Sequence, residues 1–131
     1  MLVNHPQSVS IVAVDGDELV LVRQSRPGTA ELLVEVPAGK IEPGEAPRAA
    51  AERELAEECG LGAESWRELG SFFAAAAYST EYVHAFCAQT LREVGTPELE
   101  VLRRPLAAAL REINDATSLA TIALWRVESR P

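Results

Sequence analysis

Positive charge is scarce in this chain. Lysine and arginine number 12 against 20 aspartates and glutamates, giving a formal net charge of −8 over 131 residues and a pI near 4.8. Non-specific nucleic-acid binding rests on a basic field over phosphates, so that class is disfavoured. Cysteine is nearly missing: Cys59 and Cys87 stand alone, outside any CxxC or Cys/His spacing. This argues against zinc and fits two buried thiols in a reducing compartment. No apolar run approaches the roughly 20 residues of a membrane-spanning helix. The opening MLVNHPQSVS has neither a basic n-region nor an apolar h-region, so a cytoplasmic chain is expected. Repeats, low-complexity tracts and linkers are also lacking. What remains is a chain of single-domain length, with 47% hydrophobic residues to build a core without staples.

Within it, SVSIVAV (8–14) and LVLVRQ (19–24) are rich in β-branched residues and flank DGDE (15–18), the pattern of a hairpin. ELLVEVP (31–37) reads as a third strand that Pro37 stops, followed by a glycine-containing loop over 38–45. Pro47 suits the first turn of a helix and Gly60 the position just past its end. Between them Ala51, Leu55 and Cys59 form an i, i+4, i+8 apolar stripe. Strands are expected over 65–73, 82–90 and 99–104, then helices from Pro105 and from Asp115 to about residue 127. Strands first and helices last, with one helix inserted, make an α+β pattern.

The inserted helix poses a physical problem. Glu54, Glu57 and Glu58 fall at i, i+3 and i+4 near its C-terminal end. Like charges at that spacing repel, and anions there face the unfavourable end of the helix dipole. The spacing predicts that the three carboxylates converge on one side, with Arg53 bordering them and able to orient one. A bound divalent cation removes the repulsion, and hard carboxylate oxygens select Mg²⁺ or Mn²⁺. Such a cation would also reconcile an acidic protein with a phosphorylated substrate.

The stretch AGKIEPGEAPRAAAERELAEECGL (38–61) resembles the signature of the Nudix hydrolases at every fixed position: Gly39, Glu45, Arg53, Glu54, Leu55, Glu57, Glu58, Gly60 and Leu61. The resemblance implies an α/β/α sandwich around a mixed β-sheet. It implies hydrolysis of a nucleoside diphosphate linked to a moiety X. It further implies Glu54 and Glu58 as the main metal ligands and Glu57 as an additional ligand or as a base acting through a water. Arg53 would orient the helix carboxylates, Glu45 would brace the loop, and the Ala38 carbonyl would be a metal ligand.

VRQSR (22–26), EVPAGKIEPGE (35–45), STEYVHAFCA (79–88) and INDATSLATIALW (113–125) extend the likeness to the ADP-ribose pyrophosphatase branch. That likeness implies Arg23 or Arg26, together with Glu35, near the nucleotide. It also implies a base on an acidic loop before the last strand, where Glu98 fits best and Glu93 and Glu100 are alternatives. The reaction implied is cleavage of an ADP-sugar to AMP and a sugar phosphate. Other nucleotide substrates, or nucleotide sensing without cleavage, are the alternatives. Two departures stand out. The branch carries Ser-Pro-Gly after its fourth strand, where this chain has Ala75, Ala76 and Ala77. Longer relatives dimerise through an N-terminal subdomain, so a homodimer here must be built differently. His84 is expected to be structural and His5 terminal and exposed. Tyr78 and Phe72 are candidates to stack on a base.

Overall fold

The computed structural model describes residues 1–128. The two β-branched segments form the expected hairpin: β1 (Ser8–Asp15) and β2 (Glu18–Ser25) pair antiparallel with Asp15 opposite Glu18. Gly16 in the turn takes φ +63°, the left-handed conformation that a tight hairpin needs. The chain continues through β3 (Leu32–Glu35), β4 (Ala38–Lys40), α1 (Pro47–Cys59), β5 (Leu61–Phe73), β6 (Tyr82–Glu93) and β7 (Glu100–Pro105). It closes with α2 (Leu106–Glu112) and α3 (Ala116–Glu128).

The sheet is mixed and runs β3-β2-β1-β6-β5, with β4 added to β1 and β7 to β2. β1 lies at its centre, parallel to β6 and antiparallel to β2 and β4. Successive side chains of β1 point to opposite faces. Val9, Ile11 and Ala13 pack with Ala50, Ala51, Leu55 and Cys59 of α1. Val12 packs on the other face with Ala109 and Ile122 of α2 and α3. This is the α/β/α sandwich expected. Two polar ties fix α3 to its face: Ser10 and Thr121 share a buried hydrogen bond of 2.7 Å, and Val36 N–H donates to Ser118 Oγ at 3.0 Å.

The structure corrects three boundaries. The segment 38–45 is not all loop, because its first three residues form β4. That strand is too short, and too centred on glycine, to show a β pattern. β5 starts at Leu61 rather than residue 65, because left-handed Gly60 (φ +67°) turns the chain straight out of α1 into the sheet. β6 likewise runs on to Glu93. Among the described residues no helix is long and apolar enough to cross a membrane.

Candidate active site

The cleft originates in how β1 divides its edge. Its last residues pair with β2, while Ser8, Val9 and Ser10 pair with β4. β3 follows β2 and β4 follows β1, although only Val36 and Pro37 separate them. At the crossing Ile11 N–H donates to the Pro37 carbonyl at 2.9 Å. The sheet therefore splits, and a cleft of about 770 Å³ opens along the split. Glu54 and Glu58 of α1, Gly39 of β4, and Arg26 and Glu35 of the β2–β3 side all line it, as does Asp115 before α3.

α1 presents its carboxylates by two devices. Pro47 opens the helix, and Gly60 closes it by donating to the Ala56 carbonyl at 2.9 Å. The Glu54 carboxylate then lies directly over Gly39, in the space that a Cβ on residue 39 would fill. Glu58 Oε1 accepts from Ala38 N–H at 3.1 Å. Burial pushes Glu58 up to about 7, and the negative charge of Glu54 adds to the effect. Burial also raises Glu54, against the pull of Arg53.

Arg53 is the hub. Its Nε and Nη2 donate to Glu45 at 2.8 and 2.9 Å, and Nη2 also donates to the Lys40 carbonyl at 2.9 Å. Its Nη1 reaches Glu54 at 2.9 Å and Glu57 at 3.2 Å. The bidentate grip holds the Glu45 carboxyl at about 2 and makes the Arg53 guanidinium harder to deprotonate. One side chain thus ties the loop of 38–45 to the helix.

The predicted convergence of three carboxylates is corrected in part. Glu54 and Glu58 face the cleft, whereas Glu57 is exposed, turned to Arg53, and does not line it. Among the described residues no three acidic, imidazole or thiol groups are gathered as a ready ligand shell. The donor set still suits a hard cation. Two half-buried carboxylates lie against Ala38 and Gly39 of β4, in a cleft that Glu35, Glu81 and Asp115 make more acidic than Arg26, Lys40 and His5 can offset.

The other predicted residues divide. Glu35 is 5% exposed and accepts from Nε and Nη2 of Arg26, at 3.1 and 2.8 Å. That bond makes the guanidinium harder to deprotonate. Arg23 does not line the cleft: its register on β2 sets it opposite Glu100 of β7, to which it donates at 2.9 Å. Glu98 also lies outside, exposed. Its loop is pinned to the end of α1, where Glu98 N–H and Leu99 N–H donate to the Glu57 and Glu58 carbonyls at 3.0 and 3.2 Å. Val94 and Gly95 N–H both donate to Gly60, at 2.9 and 3.3 Å. Glu93 is exposed and outside the cleft as well.

His84 is held by Gln7 at 2.7 Å and lies off the cleft, a structural role. His5 departs from expectation, since it is half-buried and lines the cleft with Ser8, Tyr78 and Glu81. These residues carry no motif spacing. Only the fold of the N-terminal segment onto the β5–β6 connection assembles them, so no local signal announces them.

A NUDIX domain model matches residues 4–103. The chain is similar to an ADP-ribose pyrophosphatase of Bacillus subtilis, 36% identical over 92% of this chain and 72% of that protein. It is also similar to an ADP-ribose pyrophosphatase of Mycobacterium tuberculosis, 41% identical over 74% of this chain and 48% of that protein. Among solved structures it superposes on an ADP compounds hydrolase with a TM-score of 0.83 at 32% identity, covering 92% of this chain and 70% of the other.

Proposed function

The chain belongs to the NUDIX domain family, and on that premise we propose that it hydrolyses the pyrophosphate bond of ADP-ribose or another ADP-sugar, yielding AMP and a sugar phosphate. The observation that carries this reading is the pairing of half-buried Glu54 and Glu58 with the Arg26–Glu35 pair in one cleft. Its volume of about 770 Å³ suits a small-molecule substrate. Relatives named for cleaving ADP-ribose support the substrate class.

In this reading Glu54, Glu58 and the Ala38 carbonyl would hold Mg²⁺ or Mn²⁺, and Glu57 would join them as a further ligand or as a base through water by turning from its bond to Arg53. A bound cation supplies Lewis-acid polarisation of the phosphoryl group and the positive charge that the acidic cleft lacks. Every other task falls to the chain itself. Arg53 fixes the carboxylates of α1 and, through Glu45, the loop that carries Gly39 and Ala38. Arg26 leaves 43% of its side chain exposed and directs a cation at the substrate's phosphates, while buried Glu35 orients it. The carboxylates of α1 and the Arg26–Glu35 pair line one cleft, so a pyrophosphate held by Arg26 would lie within reach of α1. The proton released by the attacking water passes to a carboxylate of α1.

Ala75, Ala76 and Ala77, where the branch carries Ser-Pro-Gly, support a second substrate reading: another nucleotide sugar, a dinucleotide or a nucleoside triphosphate. The test is a panel of nucleoside diphosphate derivatives incubated with Mg²⁺ or Mn²⁺, with products resolved by chromatography. AMP and ribose 5-phosphate from ADP-ribose are expected. Absence of turnover on every member would refute hydrolysis and leave nucleotide sensing.

A further inference from the structure

The N-terminal segment builds a wall of the cleft. Val3 bridges Ser79 in parallel, donating to the Tyr78 carbonyl at 2.6 Å and accepting from Thr80 N–H at 3.0 Å. His5 N–H then donates to Thr80 Oγ1 at 2.8 Å. These bonds lash residues 3–5 across the connection between β5 and β6. They bring His5 beside Ser8 and Glu81, on the side of the cleft that β1 and β6 form.

The chemistry of this corner is specific. Buried Ser8 donates its hydroxyl to Glu81 Oε2 at 2.6 Å, and His5 Nδ1 lies 4.0 Å from the same oxygen. His5 Nδ1 is also 2.6 Å from the Pro6 carbonyl. A carbonyl can only accept, so Nδ1 is assigned a proton, and in the tautomer that carries only that proton Nε2 is an acceptor. Among the described residues neither His5 Nε2 nor Glu81 Oε1 has a hydrogen-bond partner. Both side chains keep 25% of their surface exposed while lining the cleft.

Two open acceptors at one corner call for a ligand with neighbouring donors. A phosphate is the wrong partner, because its oxygens would face the Glu81 carboxylate. An adenine ring offers one amino group and otherwise acceptors. The vicinal hydroxyls of a ribose supply two neighbouring donors, and exposed Tyr78, lining the same cleft, is an aromatic side chain available to the sugar ring. We propose that His5, Ser8 and Glu81 form a diol-binding subsite that holds a ribose of the sugar nucleotide. Ser8 positions the carboxylate, Glu81 and His5 accept from the hydroxyls, and the N-terminal segment serves as part of the substrate site. The subsite rests on the reading that the substrate is an ADP-sugar.

A ribose occurs on both halves of ADP-ribose, and the test separates them. Inhibition of the full chain by ribose 5-phosphate, AMP and 2′,3′-dideoxy-AMP is measured for the wild type and for Glu81→Gln, which keeps the side chain's size and its bond to Ser8. Losing one hydrogen bond to a charged group raises the inhibition constant of the affected product about tenfold. A rise for ribose 5-phosphate alone places the sugar of X at this corner. A rise for AMP that dideoxy-AMP does not share places the nucleoside ribose there. Either result supports the subsite. No change for any of the three, or equal changes for AMP and dideoxy-AMP, overturns it. If Glu81→Gln melts early, His5→Phe carries the same comparison, removing Nε2 while retaining a ring. Calorimetric titration of the same three ligands keeps the subsite testable where ADP-ribose is not cleaved, so failure of the hydrolase reading stays distinct from failure of this one.

Discussion

Replacing Gly39 by alanine sets a methyl group against the Glu54 carboxylate. The new Cβ would stand 2.5 Å from Oε2 and closer still to Cδ and Oε1. Ordinary contact between such atoms is about 3.5 Å, so something must yield by about 1–1.5 Å. The strand cannot retreat easily, since Gly39 sits opposite Val9 and its neighbours Ala38 and Lys40 are paired to Ser10 and Ser8. The carboxylate therefore moves, and its 2.9 Å bond to Arg53 goes with it. Overpacking of this kind costs about 1–3 kcal/mol, a lowering of the melting temperature by about 4–12 °C in a chain of this size. The catalytic loss is expected to be larger in proportion, because a ligand misplaced by about 1 Å costs about 100-fold in rate. The assay is kcat/KM for ADP-ribose across a Mg²⁺ titration, with a thermal melt beside it. A fall of about 100-fold in kcat/KM with weaker Mg²⁺ dependence is expected. Activity within about threefold of wild type at an unchanged Mg²⁺ midpoint would refute the idea that Glu54 works from its seat over residue 39.

Two further outcomes test the same site. In the metal-free protein Glu58 is pushed from an ordinary 4.5 up to about 7 by burial. The folded state then holds a proton that the unfolded chain loses over this window, so the contribution favours folding in acid and is lost as pH rises through about 7. Going from about pH 8 to about pH 5, the metal-free chain gains at most about 3 kcal/mol from this group. Glu58→Gln should flatten that part of a pH series of urea melts while lowering kcat about 100-fold or more; an unaltered pH slope would contradict the assignment. Glu98→Gln is expected to keep kcat within about threefold, whereas removal of a true general base costs about 10²- to 10⁴-fold. A loss of that larger size would mean that the loop releases its bonds to α1 when substrate binds.

Sequence and structure agree at α1 and the first hairpin, where the signal is local. The i, i+4, i+8 stripe, Pro47 and Gly60 delimit α1, and Glu54 and Glu58 follow from its register. The hairpin is legible because its turn allows a glycine at positive φ. The remaining discrepancies arise from pairing. Whether Arg23 or Arg26 enters the cleft depends on which β7 residue lies opposite β2, a non-local fact that sets Arg23 against Glu100. Glu57 falls outside the cleft because it lies about 100° round the helix from Glu58, on the far side of Glu54, so the one-turn spacing that groups the three in sequence does not put them on one face. His5 and Glu81 meet across a separation of 76 positions through the bridge of Val3 to Ser79. No periodicity encodes such a meeting.

The bonding of residues 94–99 to the end of α1 bears on how relatives of this chain can diverge. Gly60 has no room for a side chain, because a Cβ there would run into the Gly95 carbonyl, and the Glu57, Glu58 and Gly60 carbonyls each accept from this loop. An insertion between β6 and β7 would pull on the same turn of helix that presents Glu58. The turn at Gly16 and Asp17 touches no part of the cleft lining. Length variation is therefore cheap at the β1–β2 turn and expensive after β6, and genes descending from a common ancestor of this chain should accumulate insertions at the first and keep the second nearly constant.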